Sequence, residues 1–222
     1  MTLRPLSDVS AADWFVDRDL PDLGPAGFEA YARVLHPWIE GANGERTERM
    51  DGYLPDDQLA ALCRVLARHT STPELCFFAL WDGYGEIYGG ESTAFLTAFA
   101  GPVPWPARPF RQPRPKDPPP AAFAAKVLDG PRLTVSTRDF FLFDGPISQA
   151  GAWGAVDYGH GIPRRLNSPN LIWPADHAWF VSTDIEGSWS GIGGSAALVD
   201  ELLRDPQLEV VRTRYDDPAA RR

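Results

Sequence analysis

Asp176 and His177 stand side by side in the stretch SPNLIWPADHAWFV, residues 168–181. A carboxylate that orients an imidazole is the core of many general-base arrangements. Neighbouring residues on a strand point to opposite faces, so these side chains can meet only if Pro174–Asp176 is a turn. Neither a GxSxG context nor a cysteine nucleophile stands beside them. The stronger expectation is structural: Asp176 closes a turn after Pro174, and His177 sits at a strand entrance beside Trp179. Asp176 and His177 remain weak catalytic candidates.

Metal chemistry needs convergent ligands. His36, His69, His160 and His177 are scattered without HxH or HExxH spacing, and Cys63 and Cys76 make no CxxC, so no metal site is expected. Asp184 and Glu186 would share one face of a strand, where a carboxylate pair can hold a divalent cation or split acid and base roles. Just before Gly187, a solvated turn is the stronger expectation. The glycines of GIGGSAALVDELL (191–203) could aim N–H groups at an anion. The stretch lacks both the P-loop lysine and GxGxxG spacing, so a tight turn with Ser195 as helix cap is favoured.

Aromatic residues offer a third kind of site. The aromatic set is Trp81, Tyr84, Trp153, Tyr158, Trp173, Trp179 and Trp189. Several of them fall at expected strand ends beside Gly or Pro, where side chains can line a concave surface, and Trp81, Tyr84 and Trp173 are the candidates taken from the set. With Asn170 as a hydrogen-bonding group and Ser195 nearby, these five are the binding candidates for a planar ligand or a partner's side chain. Trp173, before a proline, is expected at the surface. Trp179 is expected in the core, because His177, Trp179 and Val181 alternate with Ala178, Phe180 and Ser182 on a strand apolar on both faces.

The elements that must position these groups follow from periodicity. Residues 55–69 (PDDQLAALCRVLARH) read as a helix: Leu59, Leu62, Cys63 and Leu66 form a stripe, Asp56 or Asp57 can cap the start, and bases gather at the end. A second amphipathic helix is expected at 195–205 behind Ser195. In 27–38 Phe28, Tyr31 and Leu35 suit a helix, while alternation and the stop at Pro37 favour a strand. Strands are also expected within 74–85, where an Asp-Gly turn ends the apolar run, 178–185 and 208–215, with a short strand or turn at 188–194 and two short strands or one bent one in 131–145. A short helix opened by Ser10 is expected near Trp14, and EGANGERTERMDG (40–52) reads as a polar Gly-bearing loop. Nine of residues 102–120 are proline, which removes donors and fixes φ, leaving an irregular or polyproline arm. Strands mixed with two good helices, without a β-α-β rhythm, predict an α+β fold. Its expected form is one domain over 1–222, with a central mixed or mostly antiparallel sheet, a few packing helices and a proline-rich insertion at about 101–130.

Charge narrows the partners. The chain of 222 residues has a net charge of −9, which argues against nucleic acid or an anionic membrane. Residues 102–138 carry 2 acids against 7 bases, while 1–101 carry 16 against 7 and 139–222 carry 12 against 7. That basic middle is expected to be a solvated arginine-bearing loop, with docking on an acidic partner as the alternative. The start, MTLRPLSDVSAADW, has no signal pattern, and both cysteines read as small buried hydrophobes of a reducing compartment. A cytoplasmic location is expected.

Taken together, GFEAYARVLHPW (27–38), HTSTPELCFFALWDGYG (69–85), SPNLIWPADHAWFVSTDI (168–185) and GGSAALVDELLRDPQLEV (193–210) resemble a family of actinobacterial proteins of unknown function. The resemblance covers most of the chain outside the proline-rich arm. It implies a cytoplasmic single-domain protein and supplies no activity, cofactor or catalytic residue.

The resulting expectation is a protein-binding module, immunity- or adaptor-like, without catalysis and without a cofactor, because no site is assembled in the sequence. The alternative is an enzyme or small-ligand-binding protein with a pocket near Trp173, Asp176, His177 and Ser195. The expected partner is another protein, with a homo-oligomer left open.

Overall fold

A computed structural model of the chain describes residues 2–16, 22–41, 43–90, 118–158 and 163–217. The expected proline-rich arm therefore lies outside the described residues as far as Asp117. In chain order the elements are β1 (Arg4–Pro5), β2 (Ala30–Leu35), β3 (Trp38–Glu40), β4 (Arg46–Arg49), α1 (Asp56–Leu66) and β5 (Cys76–Trp81). They continue with α2 (Ala125–Leu128), β6 (Leu133–Val135), β7 (Arg138–Gly145), β8 (Leu171–Pro174), β9 (Phe180–Thr183), β10 (Trp189–Gly194), α3 (Ala196–Leu202) and β11 (Glu209–Thr213).

Nine strands form one antiparallel sheet in the order β1-β7-β5-β8-β9-β10-β2-β11, with β6 also paired to β7; β3 and β4 form a separate hairpin. This is a mixed α+β fold. The sheet is buried on both faces at its centre, which is why β5 (CFFALW) and β7 (RDFFLFDG) are apolar on successive residues rather than alternating. One face carries Phe78, Leu80, Phe143, Ile172, Trp179 and Val181 under the apolar stripes of α1 and α3. The other carries Leu142, Leu171, Trp173 and Phe180 under Ala12 and Phe15 of the N-terminal segment.

Local chemistry explains most boundaries. Ser195 caps α3, its Oγ accepting from the Leu198 N–H at 3.2 Å. At α1 the expected side-chain cap is replaced by Pro55, and Asp56 and Asp57 favour the first turn through the helix dipole instead. The glycines before α3 belong to β10, not to a turn. A Cβ on Gly191 would stand 2.7 Å from Leu23 Cα, and one on Gly193 would strike the Phe28 ring. Glycine here lets residues 22–28 cross directly over a central strand.

Two further expectations need correction. Residues 40–52 are not simply a loop: they contain strand β4, paired to β3, and the Asn43-Gly44 stretch, with Gly44 at φ 76°, connects the two. An Asn-Gly turn is a strong hairpin signal, outweighed in the sequence reading by the polarity around it. Trp173 is not at the surface: Leu171–Pro174 is strand β8, held between β5 and β9, and the expected turn after Pro174 brings Asp176 and His177 out to the surface. Within the expected insertion at about 101–130, Ala122 and Phe123 are buried in the core and Ala125–Leu128 forms α2.

Candidate functional site

The Asp176 carboxylate is turned away from the imidazole beside it. Its Oδ1 accepts from Thr70 Oγ1 at 2.8 Å, and its Oδ2 accepts from the Ser71 N–H at 2.7 Å and Ser71 Oγ at 2.8 Å. The Ala178 N–H adds a bond at 3.2 Å. Burial pushes this carboxyl up, but the donors of Ser71, Thr70 and Ala178 outweigh it and hold it below the usual carboxylate value. His177 sits at φ 54° and stacks on Trp14, ring centroids 4.3 Å apart and planes 16° from parallel. Burial under that indole lowers its pKa, opposed by the Asp176 charge. Asp176 thus fastens the 70–72 connection to the 175–178 turn, and His177 fastens the same turn to the N-terminal segment.

A different imidazole–carboxylate pair does form. His69, at the end of the turn after α1, bonds through Nε2 to Glu201 Oε2 at 2.6 Å, and Arg68 Nε donates to Glu201 Oε1 at 2.8 Å. His69 and Arg68 together hold the Glu201 carboxyl low. The sequence separation of 132 residues hid this pair from spacing arguments.

Among the binding candidates, Trp81, Tyr84 and Asn170 come together. Asn170 is buried; its Oδ1 accepts from the Trp81 N–H at 2.9 Å, and its Nδ2 donates to Tyr84 Oη at 3.1 Å and to the Thr183 carbonyl at 3.3 Å. Trp81 and Tyr84 meet edge to face at 5.1 Å. The Asn170 amide therefore ties β5 to β9 at one end of the sheet. Trp173 lies elsewhere and corrects the expectation of a surface ring. It is fully buried, stacked with Phe77 at 5.5 Å and Phe180 at 5.8 Å and struck edge-on by Phe15 at 5.0 Å. Ser195 is occupied as the α3 cap.

Asp184 is paired with Arg138, and its Oδ1 accepts from the Glu186 N–H at 2.8 Å, closing the expected turn. Burial and the nearby Asp184 charge push the Asp22 carboxyl up. Among the described residues no three His, Cys, Asp or Glu side chains converge as metal ligands. Nor is any described helix long and apolar enough to cross a membrane.

The surface feature that sequence reasoning missed lies at the outer edge of the sheet. Trp38 and Ile39, on β3, are 39% and 41% exposed. Arg49 of β4 lies over the Trp38 ring, 4.4 Å from its centroid. The same guanidinium donates to both Glu209 oxygens, at 2.8 and 3.0 Å, and to the His36 carbonyl at 2.6 Å. That fork holds the Glu209 carboxyl below its usual value. Pairing register continues the row inward: Glu209 is opposite Leu35, which is opposite Trp189, and Arg33 stands 5.4 Å over the Trp189 ring. One step along, Val211 is 40% exposed. No described strand pairs with the outer side of β11. Two tryptophans capped by arginines thus lead to the outer edge of β11, which is unpaired among the described residues. The legible signal was the pair Trp38-Ile39 entering a charged segment with an Asn-Gly turn.

No family model, curated protein or solved structure matches the chain.

Proposed function

We propose that the chain is a protein-binding module, immunity- or adaptor-like and without catalysis, that engages another protein through the corner formed by Trp38, Ile39, Arg49, Val211 and the outer edge of β11. The observation that carries this reading is the exposed Trp38 with the Arg49 guanidinium over its ring. Arg49 is itself held by a two-toothed ion pair to Glu209 and by the His36 carbonyl, contacts that favour one position of the indole beneath it. Large aromatic rings and arginines dominate the energetic centres of protein interfaces, and preorganisation reduces the entropy lost on binding. The outer side of β11, with no strand paired to it among the described residues, adds backbone groups of the kind that accept a partner's strand. By contrast, Asp176, His177, Trp173 and Ser195 are engaged in packing, helix capping and turn closure, Trp173 on β8 and Ser195 at the start of α3.

The test is affinity capture from the native host with wild-type chain, Trp38→Ala, Val211→Asp and Leu75→Ala. Leu75 is equally exposed but precedes β5 at the opposite end of the sheet. A partner lost with the first two variants and kept with the third supports the corner. Truncation of a central tryptophan should weaken binding by about 2 kcal/mol or more, roughly thirtyfold. An unchanged set of partners with Trp38→Ala contradicts it.

A further inference from the structure

His36 is fully buried between the corner and the core, and its bonds fix its protonation state. Nδ1 lies 2.8 Å from the Met50 carbonyl, which can only accept, so Nδ1 carries the proton. In the neutral ring Nε2 is then an acceptor, and Ser190 Oγ, 3.0 Å away, donates to it. Ser190 has one proton and has spent it, so Thr183 Oγ1, at 2.7 Å, donates to Ser190. Hydrogen bonds therefore run one way: Thr183 to Ser190 to His36 to Met50.

A parallel route ends on the same segment. Asn170 Nδ2 donates to Tyr84 Oη, leaving the phenol proton for the Gly52 carbonyl at 3.5 Å. Residues 50–52 are thus sewn to the end of the sheet from two sides, and Gly52 packs so closely on the Ile185 carbonyl that a side chain would collide. These residues close the β3–β4 hairpin, because the Met50 N–H donates to the Pro37 carbonyl at 2.9 Å.

We propose that this hydroxyl chain is an acid-sensitive latch: a second proton on His36 reverses it, loosens residues 50–52 and frees the hairpin that displays Trp38. A protonated Nε2 must donate to Ser190 Oγ. The Ser190 proton then turns to Thr183, and the Thr183 proton loses its acceptor inside the protein. The new cation also lies beside Arg49, which donates to the His36 carbonyl and holds both Trp38 and Glu209. Of the charged groups acting on the ring, Arg49 opposes protonation and Asp51 favours it; β9 and β10 present neutral hydroxyls. Burial is the largest influence and keeps the imidazole neutral at ordinary pH.

The latch adds regulation to the corner proposed above, and it is read on the chain alone. Hydrogen–deuterium exchange of the full chain, expressed as protection factors, is compared at pH 7 and pH 5. Protection of residues 37–52 should fall by about tenfold while β5 and β7 keep theirs. Asp51→Asn, at an exposed position, should move that transition to lower pH, and His36→Gln should abolish it. Residues 37–52 that lose protection only together with β5 and β7 overturn the latch, as does a transition unmoved by Asp51→Asn. Either failure leaves the binding corner standing, and a Trp38→Ala variant that binds like wild type leaves the latch standing.

Discussion

Among the described residues, two tryptophans sit next to a proline at a strand end, in Pro37-Trp38 and in Trp173-Pro174, and they have opposite fates. Trp173 lies on β8 in the middle of the sheet, where β5 and β9 flank it and Phe15 arrives from the N-terminal segment to cover it. Trp38 lies on the β3–β4 hairpin, where the Arg49 guanidinium covers one face of its ring and 39% of the residue stays exposed. The dipeptides are near mirror images. Burial is decided by what the fold brings across from elsewhere, and a long-range cover comes to one ring and not to the other. A large aromatic side chain that the fold leaves uncovered is the better mark of an interaction surface.

The contrast can be broken most forcefully at the buried member. Trp173→Ala should cost about 3–5 kcal/mol of stability in urea unfolding, whereas Trp38→Ala should cost about 0.5 kcal/mol or less. Equal costs would erase the distinction between the two rings. Around Trp173 the supporting turn should respond more modestly: Asp176→Asn should remove about 1 kcal/mol at neutral pH. The sign with pH follows from its lowered pKa. The contribution is complete above the ordinary carboxyl value of about 4 and is lost as pH falls through the lower folded value, so the gap to wild type should close in acid.

His36 and His177 carry the complementary dependence. Both are held below the free imidazole value by burial, so the unfolded chain takes up protons first. Wild-type stability should therefore decline as pH falls below about 6.5, and the combined variant His36→Gln, His177→Gln should flatten that decline. A smaller effect sharpens the account of Ser195: Ser195→Ala should cost about 1 kcal/mol and Ser195→Asp should restore it, as a cap requires. Finally, burial pushes the Cys63 and Cys76 thiols up to about 12, so neither should react with a thiol reagent until the chain unfolds.

Much of the fold was legible where a local rule and the tertiary environment agree. The stripe Leu59, Leu62, Cys63, Leu66 became α1, the doubly apolar run at 76–81 became a central strand, and Ser195 caps α3. The alternation of Trp179 and Val181 against Phe180 sorts these side chains onto opposite faces of the sheet as expected. What stayed hidden depends on groups far apart in sequence. The glycines of GIGG resemble an anion loop until residues 22–28 are seen to cross them, and Asp176 resembles half of a dyad until Thr70 and Ser71 occupy it. The Trp38 corner needed Arg49 and Glu209, 160 residues apart, to be visible as one surface.

The most direct test of that surface uses two equally exposed apolar positions at opposite ends of the sheet. A photoreactive side chain is placed at Ile39 in one protein and at Leu75 in another, and both are irradiated in the native host. The account predicts a discrete protein adduct from position 39 that disappears when Trp38→Ala is added, and none from position 75. The same adducts from both positions, or an adduct at 39 indifferent to Trp38→Ala, would contradict it.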